Sequence, residues 1–216
     1  MKRTAEDYIN YPATRDDGLI QLKAGDKLYA SYTDATNDYG EEEELDTEIL
    51  YGVWAGPVIQ NNTHWTIDES PVIVTGDLQF WDSDLTIDEG VEVLIRGNYL
   101  VGMYGGTLDV KGSEDNKVIF RPEDLDNAEP GVWQGIKGDN GYIPGTNNYQ
   151  SDTHLSIDHA QFLYAVHGIY QQLNDDSSIS VNNSEIAYSS NHGLYTKYMY
   201  YRTFSAENLH IHDNGG

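Results

Sequence analysis

The apolar positions between Leu155 and Ile211 fall into three copies of one short pattern. Leu155-Ser156-Ile157-Asp158-His159-Ala160-Gln161-Phe162 aligns with Ile179-Ser180-Val181-Asn182-Asn183-Ser184-Glu185-Ile186, and both align with Phe204-Ser205-Ala206-Glu207-Asn208-Leu209-His210-Ile211, at offsets of 24 and 25 residues. In each copy an apolar side chain stands first, third and eighth, and serine stands second. Alternation with period two puts the first and third positions on one face of a strand. The fifth position is His159, Asn183 or Asn208. Asparagine tolerates the left-handed backbone conformation, so a sharp bend is expected there, followed by a second strand. Gly135-Ile136, Gly168-Ile169, Gly193-Leu194 and Gly215-Gly216 then read as a third strand entered through glycine. Self-similarity at this period, with three short strands per copy, predicts a β-solenoid whose inward apolar side chains stack from coil to coil.

Earlier segments fit the same frame. Leu85 to Leu108 spans 23 residues and Leu108 to Leu155 spans 47, so one coil is expected to carry two excursions, near 121–132 and 138–154. About five coils result. Before residue 56 the texture differs. Leu19–Leu22, Lys27–Thr33 and Glu48–Tyr51 read as short strands, separated by the acidic, turn-rich stretch Asp34–Glu44. Three strands in this length make an incomplete sheet. The expected organisation is therefore a short β-rich lead-in at 1–55, sandwich-like or docking, and a parallel β-helix at 56–216.

Composition agrees with an all-β fold: 21 glycines and 17 tyrosines accompany frequent Asn and Asp. The formal net charge of −24 argues against nucleic acid and anionic membrane as partners, because both are polyanions. There is no cysteine, which leaves ladder hydrogen bonds and packing to hold the fold and removes thiolate chemistry. No stretch approaches a membrane span. Met1-Lys2-Arg3-Thr4 does not open an apolar signal segment, so a secreted chain of this sequence is expected to be mature or part of something longer. The sequence stops in mid-coil at Asp213-Asn214-Gly215-Gly216, and an open solenoid end invites pairing with another subunit.

Candidate chemistry is sparse. Asp34, Asn37, Asp38 and Asp46 in the acidic stretch could supply oxygens to calcium, although the EF-hand spacing is absent and a solvated acidic loop is the simpler reading. Asp158 and Glu207 share an outward column two coils apart, about 9.6 Å at ~4.8 Å per coil, which lies just beyond the carboxylate spacing of inverting glycosidases. His210 and His212 are two apart on a strand and put two imidazoles on one side, with Glu185 beneath His210; no third ligand is evident, and surface histidines are the simpler reading. His167 and His192 each precede a strand glycine and read as a repeated turn element. Aromatics offer the strongest hint of binding. Tyr195, Tyr198, Tyr200 and Tyr201 crowd one insert, and Tyr142 and Tyr149 lie on the 138–154 excursion, where flat rings with polar tips suit sugars or a protein partner.

One resemblance sharpens the expectation. From residue 59 onward the chain reads Asn61-Asn62-Thr63-His64-Trp65, then Ser70-Pro71-Val72-Ile73-Val74, then Leu85-Thr86-Ile87-Asp88-Glu89-Gly90-Val91. Leu108-Asp109-Val110-Lys111-Gly112, Val118-Ile119-Phe120 and Trp133-Gln134-Gly135-Ile136 follow in order. This string resembles the N-terminal coils of bacterial surface β-helix proteins, in which comparable NTTW, LTI.PGV and W.GI runs succeed one another. The resemblance covers 59–216 and implies a right-handed parallel β-helix with three strands per coil. It also implies a secreted or cell-surface, adhesin-like setting: a rigid spacer, an adhesive element or a filament subunit, with surface glycans or other protein subunits as partners. A polysaccharide-active or carbohydrate-binding β-helix is the alternative it leaves open.

Overall fold

The computed structural model describes residues 27–34, 43–50, 53–54, 58–139, 152–172, 176–197 and 203–216. The chain divides into two units, 1–52 and 53–216.

In the first unit β1 (Lys27–Asp34) pairs antiparallel with β2 (Glu43–Leu50), from Lys27 opposite Leu50 to Asp34 opposite Glu43. The expected strand at Lys27–Thr33 is present. The second strand starts at Glu43, inside the stretch expected to be turn, because eight consecutive cross-strand pairs outweigh the weak β-propensity of Glu and Asp. The proposed strand at Leu19–Leu22 lies outside the described residues.

The second unit is a right-handed parallel β-helix of three sheets. The first sheet stacks β4 (Thr63–Trp65), β7 (Leu85–Asp88), β10 (Gly106–Lys111), β13 (Thr153–Asp158), β16 (Ser178–Asn182) and β19 (Thr203–Glu207). The second stacks β3 (Val53–Trp54), β5 (Val72–Val74), β8 (Glu92–Ile95), β11 (Val118–Pro122), β14 (Ala160–Leu163), β17 (Glu185–Ala187) and β20 (His210–His212). The third stacks β6 (Leu78–Trp81), β9 (Leu100–Tyr104), β12 (Gly135–Asp139), β15 (Ile169–Gln172) and β18 (Leu194–Lys197). Each sheet advances by one strand per turn, which gives, among the described residues, five complete turns from β4 to β18, with β3 before them and β19 and β20 after them. Val53–Trp54 pairs in parallel with Ile73–Val74, so the solenoid begins slightly before the boundary read from sequence.

Register follows the sequence repeat. Leu85, Leu108, Leu155, Ile179 and Phe204 form one inward column, and Ile87, Val110, Ile157 and Val181 another. A third runs Val72, Val93, Phe120, Phe162, Ile186 and Ile211 through the second sheet. The members from Val72 to Ile186 are buried, and Phe120 stacks on Phe162 at 4.8 Å between centroids. Leu108 pairs with both Leu85 and Leu155, so the long interval is indeed one coil with two excursions. One leaves Pro122 and returns at Gly135; the other connects Asp139 to Thr153 and lies mostly outside the described residues.

The corners explain the motif residues. His159, Asn183 and Asn208 all take the left-handed conformation, with φ of +48°, +49° and +50°. Asn208 Nδ2 donates to Asn183 Oδ1, and Asn183 Nδ2 donates to Asp158 Oδ1, each at 2.9 Å, so the bend column is also a side-chain ladder. Asn183→Ala and Asn183→Gly both break that ladder, but only alanine strains the backbone. Urea unfolding is expected to find the alanine variant less stable than the glycine variant by about 1–2 kcal/mol. Trp133, fully buried, donates its indole N–H to the Leu163 carbonyl at 2.8 Å. The Gly215-Gly216 pair does not continue the strand-entry glycines: Gly216 N–H donates to Asn191 O as Asn191 N–H donates to Val166 O, which sets Gly216 two residues ahead of the Gly193 column.

Polar residues also enter the interior. Thr153, Ser177 and Gln171 are buried where the third sheet turns into the first. Thr153 Oγ1 donates to Asp139 O and accepts from Gly105 N–H, while Ser177 Oγ accepts from Thr153 N–H. These hydroxyls satisfy backbone groups that the turn leaves without ladder partners.

Candidate functional site

Side chains facing outward from the third sheet form two aromatic pairs with a lysine between them, one residue from each of its five strands. Trp81 on β6 packs against Tyr104 on β9 at 5.3 Å between ring centroids. Lys137 on β12 follows, its Nζ 5.4 Å from the Tyr104 ring centroid and 3.1 Å from the Asp139 carboxylate. Burial alone disfavours the Lys137 charge, but Tyr104, Asp139 and Tyr170 together outweigh it and hold the pKa above the ordinary lysine range. Tyr170 on β15 and Tyr195 on β18 then stack at 5.4 Å and 19°. The stripe spans about 19 Å at ~4.8 Å per rung. It arises because outward positions on neighbouring strands are in register: Lys137, Tyr170 and Tyr195 occupy one column, Trp81, Tyr104 and Asp139 another.

Two histidines flank the stripe. His167 and His192 stack at 5.5 Å and 18°, and His192 lies 5.0 Å from the Tyr195 ring. Their Nδ1 atoms are buried and find no hydrogen-bond partner among the described residues. The repeated position before the strand glycine thus builds a ring stack, which fits the expected turn role and adds to it. Burial, and then the like charge of His192, hold His167 below its ordinary pKa of 6.5. A base whose folded pKa is lowered binds fewer protons than the unfolded chain, so its contribution to stability falls as pH drops below 6.5 through the folded value. NMR titration is expected to place His167 below 6.5, and His192→Gln should raise it part of the way back, since burial remains.

The residues anticipated from sequence are distributed as follows. Tyr195 stands on a strand of the third sheet rather than on an insert, and its stacking partner Tyr170 was not singled out. Tyr142, Tyr149, Tyr198, Tyr200 and Tyr201 lie outside the described residues; the segments carrying them leave the ends of β12 and β18, both in the third sheet. Asp34 closes β1 opposite Glu43, and Asp46 pairs with Ser31 three registers along the ribbon; Asn37 and Asp38 lie outside the described residues. Asp158, Asn182 and Glu207 do occupy one outward column on successive strands. Asp158 Oδ1 accepts from Asn183 Nδ2, and His159 Nδ1 lies 2.8 Å from it without making a hydrogen bond.

No family model matches this chain, and neither a curated protein nor a solved structure matches it. Among the described residues no helix is long and apolar enough to cross a membrane.

Proposed function

We propose that the chain is a rigid β-helix module of a secreted or cell-surface protein, adhesive through the aromatic stripe of its third sheet. The stripe Trp81–Tyr104–Lys137–Tyr170–Tyr195 carries this reading. It sets ring surfaces, phenol hydroxyls and one ammonium at regular intervals on a stiff support, a chemistry suited to a surface glycan. Because the rungs hold the side chains in place before contact, little ordering entropy is lost on binding. The resemblance to bacterial surface β-helix proteins supports the extracellular setting, as does the acidic character of the chain.

An array of neutral and acidic glycans tests it. The chain is expected to be retained on at least one glycan class, and the pair Trp81→Ala and Tyr195→Ala to lower retention about tenfold or more. Asp158→Asn with Glu207→Gln should leave retention unchanged. Equal retention of the aromatic variant would refute the stripe as the contact surface. Shortening of a glycan by the parent chain and not by the carboxylate variant would instead establish the polysaccharide-cleaving alternative. Self-assembly and a calcium requirement belong to the same reading and are tested by light scattering with calcium and with EDTA.

A further inference from the structure

The second sheet carries a different chemistry on its outer face. Glu185 on β17 pairs in register with His210 on β20, and His212 lies two residues further along the same strand. One potential ligand atom from each of the three falls within 4.8 Å of the others. Glu185 Oε1 lies 2.9 Å from His212 Nε2, and the two imidazole rings are 4.3 Å apart between centroids. Glu185 therefore reaches the second histidine diagonally, and supplies the third group that sequence alone left out.

We infer that Glu185, His210 and His212 bind a divalent transition metal ion, with Zn²⁺ as the ion of choice. Two imidazoles and one carboxylate suit zinc and its neighbours in the first transition row, whereas calcium takes six to eight oxygens. Ligand atoms of a tetrahedral zinc ion, at about 2.0–2.2 Å from the metal, stand about 3.4 Å from one another. Reaching that spacing means widening the 2.9 Å Glu185–His212 contact and drawing in His210, whose side chain is exposed.

The surroundings hold the ligands as an outer shell would. Gln161 on β14 donates from Nε2 to Glu185 Oε2 at 2.6 Å, leaving Oε1 turned toward the histidines. Asp213 Oδ2 faces His212 Nδ1 at 2.8 Å and would hold a proton there once a metal displaces the proton from Nε2, which otherwise faces Glu185 Oε1. Tyr188 meets the His212 ring edge-on at 5.8 Å. The first ligands rise from paired strands rather than from a loop, which limits their movement. Three protein groups leave a fourth position open, beside a groove lined by Glu114, Lys117, His159, Asn183 and Asn208. The bound ion would offer that position to water or to an anionic group of a partner.

Titration calorimetry of the untagged chain with ZnCl₂ decides the matter. One ion per chain is expected, with micromolar affinity or better. His210→Ala and Glu185→Gln should each weaken binding about 100-fold, and Asp213→Asn about tenfold. His64→Ala, which removes an exposed ring paired with Asp88, should change nothing. Circular dichroism of each variant establishes that the solenoid is intact, so that a loss of binding reports on the ligands. Absence of binding in the parent chain, or unchanged binding in both His210→Ala and Glu185→Gln, would overturn the assignment.

Discussion

Replacing Gly135 by alanine is expected to cost about 3 kcal/mol or more of stability. Gly135 has φ of +101°, and a Cβ there would sit 1.6 Å from the His167 carbonyl oxygen on the next rung. Both penalties fall on backbone that cannot rotate away: the conformation is one that side chains avoid, and the obstructing atom is a main-chain carbonyl oxygen. The residue stands between Trp133, which plugs the corner, and Ile136, which enters the inward column with Ile169. Moving it would disturb the third sheet on both sides, since each rung templates the next. Urea denaturation should show the loss. Ser156→Ala, at an exposed outward position, provides the comparison and should stay within about 0.5 kcal/mol of the parent.

Phe120→Ala follows closely, at about 3–5 kcal/mol. Phe120 is fully buried, stacked on Phe162, and lies between Val93 and Phe162 in a continuous column. Its removal leaves a void that neighbouring rungs cannot fill without breaking their own hydrogen bonds. For a unit of this size the midpoint of thermal unfolding should fall by about 10 °C. A double-mutant cycle with Phe162→Ala isolates the ring–ring part, expected near 0.5–1.5 kcal/mol. Additive losses would show that the two rings contribute only as separate apolar volumes.

The inward columns and the bend positions were legible in the sequence because each rests on a local rule. Alternation at period two placed Leu155 and Ile157 inside, and the Asn183–Asn208 column marked the left-handed bend. Other features depend on what lies across the turn. Tyr164 and Tyr188 take φ of +64° and +59° and stack at 4.9 Å, a second left-handed column built from a residue type that gives no such signal. Gln171 is inward although polar, because it faces Gly138 on the preceding rung and donates to the Thr153 carbonyl. The misplaced Gly215-Gly216 register shows that glycine alone does not fix a column; the ladder hydrogen bonds do.

The functional candidates divide in the same way. Of the tyrosines singled out in the sequence only Tyr195 belongs to the stripe, and its other members, Trp81, Tyr104, Lys137 and Tyr170, are far apart along the chain and are brought together by the third sheet. His210 and His212 were suggested by their spacing, whereas the reach of Glu185 to His212 is a property of two adjacent strands. In both cases the chemistry depends on register, and a slip of one residue would turn these side chains to the opposite face.

Register is therefore the quantity to measure, and the chain, which has no cysteine of its own, permits a direct test. Ser156, Ser180 and Ser205 form one outward column on β13, β16 and β19. Neighbouring members should be about 4.8 Å apart, within disulfide range, and alternate members about 9.6 Å apart, beyond it. Under mild oxidation the pair Ser156→Cys with Ser180→Cys should form an intramolecular disulfide in most molecules, measured by mass spectrometry. Ser156→Cys with Ser205→Cys should form none. Failure of the first pair to close, or closure of the second, would contradict the stacking on which the aromatic stripe and the metal site both rest.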